Sequence, residues 1–265
     1  MISKLSSISP EAKIGTNVSI DPFVTVFGNV EIGDGTWIGP NVTIMDGARI
    51  GRNCKIFPGA VISAIPQDLK YEGENTTVII GDNTTIREFV TINKGTKALG
   101  KTVIGSGCLL MAYVHIAHDC VVGNNCILAN GVTLAGHIII DDFAIIGGLS
   151  AVHQFVHIGG HVMVSGGSLI RKDVPPFTKA AREPLAFVGI NSIGLKRRGF
   201  NNEKINEIQE IYRTFFMKGY NYKKAVEIIE VEMPATKERD EILSFIKSSS
   251  RGIMKGYAGD EEESE

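Results

Sequence analysis

From Ile14 onward, every sixth residue is aliphatic for most of the first 170 positions. Ile14, Ile20, Val26, Ile32, Ile38, Ile44, Ile50, Ile56 and Ile62 keep this beat, as do Ile80, Ile86 and Ile92 and every station from Ile104 to Ile170. Among the 27 stations between 14 and 170, only Asp68, Glu74 and Ala98 depart from it. A period of six matches neither the 3.6 of a helix nor the 2 of a one-faced strand. It predicts a parallel β-helix in which each hexad supplies one short strand and a turn, and three hexads close one coil. Residues eighteen apart then become neighbours in successive coils.

The other hexad positions agree. Asn17, Asn29, Asn41, Asn53, Asn83, Gly95, Gly107, Asn125 and Gly131 recur where a tight corner would need the left-handed backbone that Asn and Gly tolerate. Four residues after the aliphatic station stand small or β-branched side chains such as Val18, Val42, Ala60, Val90, Val132 and Ala144, which should point inward. Cys54, Cys108, Cys120 and Cys126 all take this slot, so they read as core residues and not as ligands or nucleophiles.

Two stretches interrupt the beat, 64–77 and 97–103, and both read as loops thrown out of the coil, returning in phase. Long loops on a rigid scaffold are common places for binding residues. The hexads fade at Asp173-Val174-Pro175-Pro176, which bounds a β-helical domain over 1–180. An α-helical C-terminal domain is expected over 181–255, with a connector over 181–200 and a first helix capped by Asn202. Its apolar stripe is Ile205, Ile208, Ile211, Tyr212, Phe215 and Phe216, and further helices are expected near 222–231 and 237–248. The acidic tail 256–265 is expected to be disordered. A net charge of −2 gives no basic surface for nucleic acid, and no segment approaches the ~20 apolar residues of a membrane span. The N-terminal residues lack a signal-peptide core, so a cytoplasmic location is expected.

All six histidines lie between 115 and 161. By the eighteen-residue count His118 sits below Gly136, beside His137, and Gly136 sits below Gln154, beside His153. The count therefore predicts a column of His118, His137 and His153 along one edge, with His115 just before it and Asp119 beneath His137. With coils ~4.8 Å apart the column would be about 10 Å long and should face outward. Such a line reads as an active-site wall. The rival readings are surface histidines on turns, or zinc held by column histidines of neighbouring chains in an oligomer.

The stretch His115-Ile-Ala-His118-Asp119-Cys-Val-Val-Gly, with Leu-Ala-Gly136-His137, Ala-Val-His153-Gln154-Phe, Gln67-Asp68-Leu-Lys70-Tyr and Gly194-Leu-Lys-Arg197-Arg198-Gly-Phe200, resembles the acyl-ACP:UDP-N-acetylglucosamine O-acyltransferases. The resemblance spans nearly the whole chain. It implies a left-handed coil, a homotrimer, and transfer of an (R)-3-hydroxyacyl chain from acyl carrier protein to the 3-position of UDP-N-acetylglucosamine, the first step of lipid A biosynthesis. It also implies His118 as general base, Asp119 as its orienter and the Gly136 N–H as oxyanion donor, with no cofactor and no metal. Asp68, Lys70, His115, His137, His153, Gln154, Asn191, Arg197 and Arg198 would contact substrate, and Gly166 would set the depth of the acyl groove. Family members often carry an acidic residue where this chain has Ile193. The alternatives are another hexapeptide-repeat acyltransferase, or a metal-dependent β-helix enzyme of the carbonic anhydrase type.

Overall fold

The computed structural model describes residues 1–256, and the acidic residues beyond Gly256 lie outside it. Each hexad forms a strand of about two residues followed by a turn. Three sheets result, parallel throughout the coil, with nine, eight and eleven strands among the described residues. The first face runs from Ser7–Ile8 to Leu169–Ile170, the second from Lys13–Ile14 to His157–Ile158, and the third begins at Ser19–Ile20. Along each face the partners are eighteen apart, as in His115↔Thr133↔Ala151.

The aliphatic stations fill the prism. Ile38, Ile44, Ile56, Ile62, Ile92, Ile116, Leu128 and Ile146 are completely buried, and so are the small inward residues Ala60, Val90, Val132 and Ala144. Burying each large side chain contributes roughly 1.5–3 kcal/mol. The four cysteines lie in this core as free thiols. Burial pushes the Cys120 thiol up to about 12, which removes this sulfur, two residues from His118 in sequence, from nucleophilic chemistry. Corners close through positive φ at Asn41 (59°), Asn53 (53°) and Asn83 (58°). Asn29 and Gly95 do not adopt it, so the corner slot is less uniform than the sequence suggests.

Both insertions leave from the corner between the first and second faces. The first follows Val61–Ala64 and ends at Thr77–Ile80, so Ile50 pairs with Ile80, thirty residues on. The second follows Thr91–Asn93 and ends at Lys101–Ile104, so Ile80 pairs with Ile104, twenty-four on. The coil therefore resumes at Lys101, earlier than 103, because Lys101–Ile104 completes the ladder with Thr77–Ile80. Asp68, Glu74 and Ala98, the three stations off the beat, all belong to these excursions.

The prolines at 175 and 176 do not end strand pairing. Thr178–Ala181 still pairs with Met163–Val164, and Ala186–Ile190 turns back antiparallel to it. The connector expected at 181–200 thus contains a strand and the short helix α1 (Ser192–Arg197). Helices α2 (Asn202–Phe216), α3 (Tyr222–Glu232) and α4 (Lys237–Ser248) follow. Asn201, one residue before the expected cap, accepts from the Lys204 N–H at 2.8 Å. The buried stripe Ile205, Ile208, Ile211 and Tyr212 packs α2 on the coil's end, where the Tyr212 hydroxyl donates to the Pro176 carbonyl at 2.5 Å. Gly256, assigned above to the tail, instead ends a strand, Lys255–Gly256, beside Ala186–Phe187.

Candidate active site

His118 and Asp119 sit on the corner from which both loops depart, between the strands His115–Ile116 and Val121–Val122. The outward-facing wall expected from the hexad count is buried here: His118 is 7% exposed and Asp119 3%. Folding of the two loops over the corner causes this difference. The second loop reaches Asp119 with the Thr96 N–H at 3.0 Å, the Thr96 hydroxyl at 2.6 Å and the Leu99 N–H at 3.2 Å. From the first loop, Asp68 brings a carboxylate oxygen to 4.0 Å from His118 Nε2.

Asp119 adopts φ 58°, which an Asp tolerates, and turns its carboxylate beside the preceding histidine. His118 Nδ1 and Asp119 Oδ2 are 2.8 Å apart. Burial opposes the carboxylate charge, but hydrogen bonds from Thr96, His118 and the Leu99 N–H outweigh it and hold Asp119 below the usual carboxylate range. An ionised Asp119 can only accept, so Nδ1 is the donor of this pair and Nε2 is turned to the side of Asp68.

Gly136 lies one coil above, directly over this ring. A Cβ there would stand 2.6 Å from His118 Cε1 and 2.8 Å from Nε2, so only glycine leaves the imidazole its place. The Gly136 N–H has no hydrogen-bond partner among the described residues, whereas the neighbouring His137 N–H donates to the His118 carbonyl at 3.1 Å.

The predicted column is present in part. The His118 and His137 rings meet edge to face at 5.1 Å, and His137 Nε2 lies 3.9 Å from Asp119 Oδ2. The next ring is Phe155, stacked on His137 at 4.7 Å, and not His153. The eighteen-residue count places 119, 137 and 155 in one stack and His153 two positions off it, so Phe155 was available from the same arithmetic. His153 and Gln154 are exposed, and His153 Nδ1 meets the Arg251 guanidinium at 3.1 Å. His115 faces outward on the first face, its Nδ1 2.8 Å from the Thr91 hydroxyl, and burial lowers its pKa. Lys70 is exposed on the first loop, two residues from Asp68, which accepts the Lys70 N–H.

Other expected residues lie elsewhere on the prism. Gly166 sits on the corner between the third and first faces, above Gly148. Asn191 and Arg198 lie against the corner between the second and third faces. Asn191 donates to the His161 carbonyl at 2.9 Å and caps α1 with its other side-chain atom. Arg198 donates to the Phe143 carbonyl at 3.0 Å, while its Nη1 is buried with no partner among the described residues. Arg197 and Ile193 are exposed on α1. One chain therefore brings together Asp68, His118, Asp119, Gly136 and His137, and leaves Gly166, Asn191, Arg197 and Arg198 on different corners.

Ligand atoms of His118, Asp119 and His137 lie within 4.8 Å of one another, close enough to gather about a cation. The donors from Thr96, Leu99 and His118 already occupy the Asp119 oxygens, so the carboxylate is built to hold an imidazole. A catalytic zinc site would also expect three ligands turned to one point around an open position.

Known proteins carry the same arrangement of elements. Residues 173–254 match the family described as UDP N-acetylglucosamine O-acyltransferase, domain 2, and residues 29–64 and 101–136 match the bacterial transferase hexapeptide family. The acyl-[acyl-carrier-protein]–UDP-N-acetylglucosamine O-acyltransferase of Myxococcus xanthus is 44% identical over 195 residues, covering 73% of this chain and 76% of that protein. The crystal structure of the UDP-N-acetylglucosamine acyltransferase from Bacteroides fragilis superposes with a TM-score of 0.95 at 53% identity, over 96% of this chain and 100% of that one. The enzyme from Francisella novicida gives 0.94 at 41% identity, over 97% and 95%. The common fold is a left-handed parallel β-helix with a small C-terminal helical domain. With similarity of this depth along almost its whole length, the chain belongs to the acyl-ACP:UDP-N-acetylglucosamine O-acyltransferase family.

Proposed function

We propose that this protein transfers an (R)-3-hydroxyacyl chain from acyl carrier protein to the 3-hydroxyl of UDP-N-acetylglucosamine in lipid A biosynthesis, with His118 as general base. The buried His118–Asp119 pair, 2.8 Å apart under two loops, carries the reading. A sugar hydroxyl is a weak nucleophile, and a neutral imidazole oriented by a carboxylate is suited to take its proton as attack proceeds. The space between Nε2 and the Asp68 carboxylate, 4.0 Å apart, suits a hydroxyl that donates to the base while Asp68 holds a neighbouring group of the sugar. Attack on the thioester carbon forms the C–O bond and places negative charge on the carbonyl oxygen, to which the free Gly136 N–H can donate a hydrogen bond. Collapse breaks the C–S bond, and the proton on Nε2 passes to the departing thiolate of the carrier. No acyl-cysteine is required.

His115, His137, His153, Gln154 and Lys70 flank the same corner and serve the nucleotide sugar and the carrier's acyl arm in this reading. Asn191, Arg197, Arg198 and Gly166 can join only from another copy of the chain, which supports a homotrimer with sites between subunits. The corner bearing Gly166 also carries an exposed apolar ridge suited to such packing: Phe89, Tyr113 and Leu149 are 53%, 65% and 79% exposed. No helix among the described residues is long and apolar enough to cross a membrane. A cytoplasmic location fits the substrates of this reading.

The test is mass spectrometry of reactions with UDP-N-acetylglucosamine or its 3-amino analogue and a series of (R)-3-hydroxyacyl carrier proteins. A single acyl addition to the 3-hydroxyl sugar, lost in His118→Ala, is expected. Product only with the amino sugar would replace the acceptor, and full activity in the variant would remove the base.

A further inference from the structure

The second loop was legible in the sequence only as an interruption, yet it supplies three of the four donors on Asp119. Thr96 contributes two, its N–H at 3.0 Å from Oδ1 and its hydroxyl at 2.6 Å from Oδ2, the oxygen that also faces His118 Nδ1. Thr96 is 6% exposed, and its hydroxyl oxygen in turn accepts the Ala98 N–H at 3.2 Å. The loop is fastened to the rest of the corner: Lys94 N–H donates to the Ala64 carbonyl at 2.9 Å, the Asn93 amide to the Ile65 carbonyl at 3.0 Å, and the Thr76 hydroxyl to the Gly95 carbonyl at 2.5 Å. Gly95 makes the approach possible, since a Cβ there would lie 2.3 Å from the Lys101 nitrogen.

We propose that Thr96 is a positioning residue for the reaction: its hydroxyl shares Asp119 Oδ2 with the His118 imidazole, fixing the carboxylate and tempering its pull on the ring. This rests on His118 being the base. A carboxylate oxygen that accepts from two donors divides its charge between them. Were Thr96 to withdraw, Asp119 would both swing more freely and concentrate its charge on the imidazole. The first effect lowers the rate, and the second favours the protonated, inactive imidazolium. The other charged or titratable groups facing the pair are Asp68, 4.0 Å from His118 Nε2, and His137, 3.9 Å from Asp119 Oδ2, with the Cys120 thiol beneath. None of them touches the hydroxyl of Thr96, whose one other contact is the Ala98 N–H at 3.2 Å within the same loop, so the ring titration of His118 reads the Asp119 contact separately from any loosening of the loop.

The experiment compares wild type, Thr96→Val and Thr96→Ser by the pH profile of kcat/KM and by NMR titration of the His118 ring, assigned by its loss in His118→Gln. Valine keeps the shape and the backbone N–H but removes the hydroxyl. Thr96→Val should lower kcat/KM about tenfold, as for one hydrogen bond to a charged group, and move the acid limb and the ring titration upward by roughly half a unit to one unit. Thr96→Ser should restore both. If valine disturbs the loop, Thr96→Ala gives the same readings. A lower rate with an unmoved profile and an unmoved ring titration would overturn the proposal, as would a serine variant that behaves like valine. The NMR titration does not depend on turnover. A shifted ring titration in a protein that stays active as His118→Gln would uphold the contact and reject the base instead.

Discussion

Gly136→Ala tests the geometry of the site with a single methyl group. The added carbon would stand 2.6, 2.8 and 3.3 Å from Cε1, Nε2 and Nδ1 of His118, where comfortable contact begins near ~3.5 Å. The ring must retreat by about 1 Å. On its other side it is tied at 2.8 Å to Asp119, itself held by Thr96 and Leu99, so the retreat bends or breaks the Nδ1–Oδ2 bond. A displacement of ~1 Å at a reacting group costs on the order of 100-fold in rate, equivalent to about 2.7 kcal/mol of barrier. Stability should change little, because position 136 does not have left-handed φ and alanine restricts the unfolded chain, which offsets part of the strain. Alanine also keeps the N–H, so a loss of rate cannot be assigned to a missing oxyanion donor. The assay is single-turnover acyl transfer followed by mass spectrometry, with the thermal midpoint measured beside it. A rate within about threefold of wild type would refute the argument, since the ring would then have tolerated the methyl without losing its alignment.

Other outcomes follow from the same structure. His118→Ala should lower kcat by roughly 100- to 10,000-fold, as loss of a general base does, with substrate binding measured by calorimetry largely retained. Gly166→Met should move the preferred acyl chain to shorter lengths in a competition among carrier-bound chains. Its Cβ would come no nearer to another atom than 3.0 Å, at the Gly148 carbonyl, so folding should survive, and an unchanged preference would reject the groove assignment. Leu149→Glu with Tyr113→Glu, both on the exposed ridge, should shift the proposed trimer toward monomer in sedimentation analysis and lower activity in parallel. His161, between Phe143 and Phe177, has its pKa lowered to about 4, first by burial and then by Arg198. The unfolded chain then binds the extra proton first, so stability should rise with pH between about 4 and 6.5. His161→Phe should flatten that rise in thermal midpoints, and an unchanged slope would count against the assignment.

Much of the fold was legible because a β-helix writes its architecture as a period. The buried stations, the inward cysteines and the stacking of 119 beneath 137 all follow from counting. The helices of the C-terminal domain showed equally clearly, as the α2 stripe Ile205, Ile208, Ile211 and Tyr212 is an amphipathic pattern needing only one neighbour to bury it. Where counting gave out, the chain was obeying contacts rather than a period. Thr178–Ala181 and Ala186–Ile190 join the third sheet after two prolines because an open ladder edge was waiting for them. Lys101 ends its loop early for the same reason.

The site divides along this line. Motif and count together brought out His118, Asp119, Gly136 and His137, whose positions depend on residues eighteen apart in a rigid repeat. That repeat is local in origin: each hexad carries its own strand, corner and inward pair, so its geometry is set before any distant segment arrives. The loops have no such period. Whether Asp68 reaches His118, whether Thr96 and Leu99 cover Asp119, and whether Asn191 is spent capping a helix depend on how non-repeating segments satisfy their own polar groups against the finished prism. The sequence alone therefore determined the scaffold and the stacking of the candidate corner. Only the tertiary structure decided that the corner is buried and the carboxylate saturated, because those properties come from hydrogen bonds between segments whose meeting no local pattern encodes.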